Sequence, residues 1–305
     1  MKRLPKLQGV LTPNLTPMNT DGSLDLDSYA RLSQTFLDAP AVDGLFAIGA
    51  TGEYSTLNVA ERTELIGVLG QLQRRGKVIT ANAGGLPTSD TLHLVEQIAK
   101  TGLDVAAVVL PTHVPDTNEA IVAFYREVDA VGLPFMVYQP VGFQTHKLSL
   151  ELLQRLIELP NFVGLKDSSF NLMVFSEMCY RFGNTISVIQ GVEMLQLPAL
   201  ACGSAGIVGG GANLYPGLLA SLNKSFTAGY LDHARVLQHE INSAWEKISA
   251  AKNFRTWTKQ IWQSKGVITT TASRVDQNPV LASPTVLAEL LNLVDLGEAG
   301  NRKNN

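Results

Sequence analysis

Short apolar runs rich in Val and Ile alternate along this chain with segments whose apolar residues recur at helical spacing, and Gly, Pro or Asn marks the junctions. Five runs, at roughly 9–17 (GVLTPNLTP), 44–49, 78–83, 105–110 and 134–139, read as strands, and three more follow at roughly 162–166, 186–190 and 205–209. The intervening segments carry helix-start signals. Asn58 and Glu61 have capping-box spacing ahead of Leu65, Val68, Leu69 and Leu72. Ser149 precedes Leu152, Leu153, Leu156 and Ile157; Thr117 or Asn118 opens a helix with Ile121, Phe124, Tyr125 and Val128; Asp25 precedes Tyr29, Leu32, Phe36 and Leu37.

Strands apolar on both faces and separated by single helices require a parallel sheet covered by helices. Eight such units predict an α/β fold, a closed (β/α)8 TIM barrel over residues 1–230. An open doubly wound sheet is the alternative, but no G-x-G-x-x-G follows the first run. Helical segments near 230–250, 253–264 and 284–295, with Trp245, Trp257 and Trp262, predict a C-terminal appendage over 231–305, packed on the barrel.

Composition narrows the class. The 305 residues are 45% hydrophobic and 17% charged, enough apolar material for one large core and too little charge for a disordered polyelectrolyte. A net charge of −3 with scattered basic residues argues against a nucleic-acid partner. No apolar stretch approaches the ~18 residues of a membrane span, and Pro5, Lys6, Gln8 and Gly9 interrupt any signal-peptide core after Met1-Lys2-Arg3. Cys179 and Cys202 have no ligand or redox spacing, and the expectation is a protein of the reducing cytoplasm.

In such a barrel the chemistry sits where strands end. Those positions hold Gly49–Glu53, Pro111–His113, Tyr138–Pro140, Lys166–Ser169, Gly191–Glu193 and Gly209–Asn213. Lys166 ends an apolar strand, and desolvation there lowers an amine's pKa as a Schiff-base lysine requires. The plainer role is a structural lysine paired with Asp167 or reaching to water. Tyr138 ends the preceding strand, within range to move protons at that amine or simply to fill the core. The Gly49–Gly52 turn can offer backbone N–H groups to a carboxylate. The Gly209–Gly211 run suggests a phosphate site, but no cation follows until Lys224. Histidine spacing supports no metal site.

With these residues the chain resembles the dihydrodipicolinate synthase / N-acetylneuraminate lyase family of class I, pyruvate-dependent aldolases. The resemblance runs from Thr12-Pro13-Asn14-Leu15-Thr16-Pro17 through the Gly49–Glu53 turn, Tyr138 and Gly164-Leu165-Lys166-Asp167-Ser168-Ser169 to Gly206-Ile207-Val208, Asn213 and Pro216. It implies a covalent imine between Lys166 and a small 2-keto acid, with Tyr138 as proton relay. It also implies a carboxylate held by the backbone of Ala50 and Thr51 and the Thr51 hydroxyl, with the Val208 main chain beside the bound pyruvate. Neither metal nor organic cofactor is implied, and a homo-oligomer, tetramer or dimer, is. The resemblance makes Glu193 and Ser168 the positions for substrate hydroxyls; the plainer role of Glu193 is a carboxylate favoured at a helix N-terminus.

Departures from the synthase branch are specific. Ala50 stands where that branch has a hydroxyl residue, His113 where it has a relay tyrosine reaching across a dimer interface, and Phe143 where it has a carboxylate-binding arginine. The expectation is therefore a lyase or aldolase acting on a 2-keto-3-deoxy sugar acid or related 2-keto acid, and not a typical dihydrodipicolinate synthase. His113 substitutes for the relay tyrosine or packs at an interface. A dehydratase using the same imine, or a keto-acid-binding protein without turnover, are the alternatives.

Overall fold

A computed structural model describes residues 4–141, 148–249, 254–276 and 279–297. Eight parallel strands close in chain order: β1 (Gly9–Thr12), β2 (Gly44–Ala47), β3 (Val78–Asn82), β4 (Val105–Val108), β5 (Phe135–Gln139), β6 (Phe162–Asp167), β7 (Ser187–Gln190) and β8 (Gly206–Ile207). Around them lie α1 (Leu26–Asp38), α2 (Val59–Gly70), α3 (Thr88–Lys100), α4 (Asn118–Ala130), α5 (Leu150–Leu156), α6 (Leu172–Phe182), α7 (Gln196–Ala201) and α8 (Pro216–Thr227). This is the (β/α)8 barrel that the alternation predicts.

The caps work as the residues require. The Asn58 side chain accepts from the Glu61 N–H while the Glu61 carboxylate accepts from the Asn58 N–H. Asp25, Thr117 and Ser149 accept from Ser28, Ala120 and Leu152 respectively. Thr117, rather than Asn118, is the cap of α4.

All the strands but β6 are shorter than the apolar runs, β1 and β8 by the most. β1 stops at Thr12 because Pro13 and Pro17 have no N–H to donate to a ladder. β8 keeps only Gly206 and Ile207; it approaches β1 so closely that a Cβ on Gly206 would lie 2.3 Å from the Gly9 carbonyl oxygen.

The C-terminal helices α9 (Leu231–Ser249), α10 (Phe254–Ser264) and α11 (Pro284–Leu291) pack on the barrel, the last ending short of 295. Trp262 is buried edge-on against Phe36 of α1, centroids 5.4 Å apart, and its indole N–H donates to the Asn213 carbonyl. Trp245 packs on Phe254, and the Trp257 indole donates to the Val280 carbonyl. Among the described residues no helix is long and apolar enough to cross a membrane, and no group of three or more His, Cys, Asp or Glu side chains is arranged to hold a metal ion.

Candidate active site

β6 carries an irregularity that aims the central residue. Phe135 pairs with Phe162, but the next residue, Met136, pairs with Gly164, so Val163 is an extra residue in the ladder. Val163 lies in the inner cluster with Met136 and Tyr138, whereas Leu165 belongs to the layer between barrel and helices. Strict alternation from Val163 would send Lys166 outward. The bulge reverses the parity, and Lys166 enters the barrel beside its register partner Tyr138.

The Lys166 amine sits 4.4 Å from the centre of the Phe46 ring and 4.5 Å from that of Tyr138. Those rings meet edge to face at 5.0 Å. The residue is 5% exposed, and burial pulls its pKa down to about 7, against an opposing pull from the Glu193 charge. A large fraction of the amine is therefore unprotonated and nucleophilic near neutral pH. Asp167 does not pair with it; its carboxylate accepts from the Ser169 N–H and hydroxyl. Burial raises the Tyr138 hydroxyl pKa well above the ordinary tyrosine value, with a hydrogen bond from the Ala50 N–H and the Arg255 charge pulling the other way.

The turn after β2 is built under strain. Ile48 has φ +56°, a left-handed conformation costing a β-branched residue roughly 1–3 kcal/mol. Its carbonyl is held by the buried Asn82 amide at 3.1 Å. The Gly49 carbonyl accepts from the Tyr54 N–H, and the Ala50 carbonyl accepts from the Glu53 N–H and, at 3.0 Å, from Arg255. The carbonyls are thus turned away from Tyr138 while the Ala50 N–H faces it. The Thr51 N–H and hydroxyl donate to no group among the described residues.

Glu193 is 3% exposed, and burial raises its carboxyl pKa above the ordinary glutamate range. It accepts from the Gly211 N–H at 2.6 Å, and a Cβ on Gly209 would come within 2.9 Å of its other oxygen. The Gly209–Gly211 run therefore seats a carboxylate of the protein itself. Val208 lines the inner cluster. Ser168 is buried, its hydroxyl so close to Gly191 that a Cβ there would meet it at 1.9 Å. His113 stands apart on the exposed loop after β4, bonded to the Thr88 hydroxyl at 3.1 Å. Phe143 lies outside the described residues.

The structure gives roles to residues that local pattern left without one. Glu53, next to the turn, is 1% exposed and accepts from Lys259 Nζ (2.8 Å), the Ser273 hydroxyl (2.9 Å) and the N–H groups of Arg274 (2.7 Å) and Val275 (3.0 Å). Arg255 and Lys259 both come from α10. Their i, i+4 spacing, continued by Trp262 at i+7, puts two cations on the helix's inward face; that was the available signal.

The sequence signature of the dihydrodipicolinate synthetase family matches residues 6–283. The 4-hydroxy-tetrahydrodipicolinate synthase of Neisseria meningitidis serogroup B is 30% identical over 237 residues, 77% of this chain and 81% of that one. Synthase 1 of that name from Streptomyces coelicolor is 32% identical over 238 residues, 78% of this chain and 77% of the relative. In fold, N-acetylneuraminate lyase from Fusobacterium nucleatum superimposes with a TM-score of 0.85 over 94% of this chain and 97% of its own, at 20% identity. The chain belongs to the dihydrodipicolinate synthetase family, whose members are class I aldolases and lyases.

Proposed function

We propose that this protein makes or breaks a carbon–carbon bond between pyruvate and an aldehyde through an imine on Lys166, on a 2-keto-3-deoxy sugar acid or related 2-keto acid. One observation carries the reading: an amine buried between the Phe46 and Tyr138 rings with its pKa drawn to about 7, beside a tyrosine hydroxyl and a turn whose Thr51 N–H and hydroxyl donate to no group among the described residues. Relatives named as synthases and fold neighbours named as neuraminate lyases support the same class.

In the cleavage direction the free Lys166 amine attacks the C2 carbonyl of the keto acid. Tyr138 passes protons to the departing oxygen, water leaves, and a protonated imine remains. The Tyr138 oxygen, having given up its proton, takes the proton of the C4 hydroxyl; the C3–C4 bond breaks, its electron pair forms the C2–C3 double bond of an enamine as the imine electrons return to nitrogen, and an aldehyde is released. Protonation of C3 and hydrolysis return pyruvate and the lysine. The Ala50 and Thr51 backbone and the Thr51 hydroxyl hold the substrate carboxylate, with Val208 beside it. Glu193 and Ser168 face the rest of the substrate; His113, apart from this site on the exposed loop after β4, would join the relay only across a subunit interface. No cofactor enters these steps. Synthase chemistry on aspartate semialdehyde is set aside, because Ala50, His113 and Phe143 replace the three groups that it uses.

Incubation with pyruvate and borohydride, then peptide mapping, tests the reading. The expected result is a pyruvate adduct on Lys166, absent from Lys166→Ala. No adduct with pyruvate or a panel of longer 2-keto acids overturns it. Product analysis then separates an aldolase, which gives pyruvate and an aldehyde, from a dehydratase, which gives neither.

A further inference from the structure

The turn that faces Tyr138 is held from behind by a side chain 205 residues away in sequence. Arg255 lies in the first turn of α10. That turn is fixed at the barrel's C-terminal end by Phe254, which packs on Trp245 and stands where a Cβ on Gly210 would come within 3.0 Å of its ring. Arg255 Nη2 donates to the Ala50 carbonyl at 3.0 Å. Its nearest carboxylate, Asp276, is 3.6 Å from Nη1, beyond a normal hydrogen bond, and the other Asp276 oxygen is committed to the Thr256 N–H and hydroxyl. Among the described residues the guanidinium thus makes its short hydrogen bond to a backbone carbonyl.

Peptide geometry gives this bond a consequence. In a planar trans peptide the C=O of one residue and the N–H of the next point in opposite directions. Pulling the Ala50 carbonyl toward Arg255 and the Glu53 N–H turns the Thr51 N–H the other way, and the preceding peptide behaves alike, its Gly49 carbonyl on Tyr54 and its Ala50 N–H toward Tyr138. Two successive N–H groups then face one side, an arrangement suited to an anion. A charged donor on the carbonyl also polarises the peptide and strengthens its N–H as a donor.

We propose that Arg255 is the positioning residue of the carboxylate site: it holds the Ala50–Thr51 peptide with its N–H toward the barrel interior and keeps a permanent positive charge behind the group that receives the 2-keto acid's carboxylate. The inference rests on the keto-acid function proposed above. It adds a residue from the C-terminal helices to that site, and a reason for those helices to close over the turn after β2. Arg255 does not touch the reacting carbons; it acts through the peptide.

The test is borohydride trapping on Lys166 as a function of ligand concentration, with pyruvate and with its neutral amide, for the wild type, Arg255→Met and Arg255→Lys. The methionine keeps an apolar stem and removes the charge. The half-saturating pyruvate concentration is expected to rise about ten-fold, the low end of a lost charge-assisted hydrogen bond. The value for pyruvamide, which carries no carboxylate charge, is expected to change much less, and the lysine variant to recover part of the preference for pyruvate. Equal loss for both ligands, or no loss for either, overturns the positioning role while wild-type trapping leaves the keto-acid reading intact. Absence of any wild-type adduct removes both.

Discussion

Replacing Lys259 by Met removes the one cationic side chain that hydrogen-bonds the buried Glu53 carboxylate among the described residues, and the structure allows the cost to be worked out. Both side chains are fully buried, with 2.8 Å between Lys259 Nζ and Glu53. Taking one partner from such a pair strands the other charge, at about 3–5 kcal/mol. Three of the four hydrogen bonds to Glu53 survive, from Ser273, Arg274 and Val275, so the lower end, about 3 kcal/mol, is expected. At roughly 2–4 °C per kcal/mol for a large domain, thermal unfolding should start about 6–12 °C earlier. Adding Glu53→Gln to Lys259→Met should restore more than half of the loss, because the amide oxygen still accepts from the surviving donors and no buried charge remains. Melting curves of the wild type, both single variants and the double variant form the cycle. A single-variant shift under about 2 °C, or a double variant that is merely additive, refutes the reasoning. The pH dependence gives a second check. Burial alone would raise the Glu53 pKa, but the Lys259 charge and the hydrogen bonds outweigh it, so the carboxyl titrates below the ordinary glutamate value. The stability it contributes is complete above that ordinary value and is lost as pH falls through the lower folded value. The Lys259→Met penalty should therefore shrink in acid, where Glu53 is protonated in either protein.

Three further outcomes follow from the site. The rate of imine formation with pyruvate should rise with pH through a midpoint near 7, since only the free Lys166 amine attacks; Glu193→Gln removes the charge that favours the ammonium and should move that midpoint lower. A wild-type midpoint near that of an ordinary lysine, or an upward shift in the variant, contradicts this. Tyr138→Phe keeps a ring beside the amine but deletes the hydroxyl, so turnover should fall by about 10²–10⁴-fold while slow trapping on Lys166 persists; steady-state rates set beside peptide mapping decide it. His113→Phe should lose turnover while keeping imine formation, and unchanged turnover would show that this exposed imidazole has no part in the relay.

Much of the framework is legible locally. Side-chain period, capping residues and glycine or proline at junctions act within a few residues of themselves, so eight βα units, the Asn58–Glu61 box and the position of Lys166 at a strand end could all be read along the chain. Strand extent could not. The first apolar run continues to residue 17, but β1 ends at Thr12, because a ladder depends on donors and on a neighbouring strand, not on hydrophobicity.

The decisive features of the candidate site came from residues far apart in sequence. Whether Lys166 enters the barrel turns on one unpaired residue in β6, since alternation from Val163 points the wrong way and only the pairing with β5 reveals the bulge. The aromatic walls of the amine come from β2 and β5, the carboxylate that opposes its pKa shift from the loop after β7, and the clamps on the strand-2 turn from α10, more than 200 residues away. Local propensity carries no record of such contacts. The sequence by itself determined which elements form, in what order, and that a lysine and a tyrosine end adjacent strands. The closed barrel with its C-terminal helices decided the rest, because a depressed amine pKa, an aimed peptide and a buried ion pair depend on burial and direction, which exist only once distant segments meet.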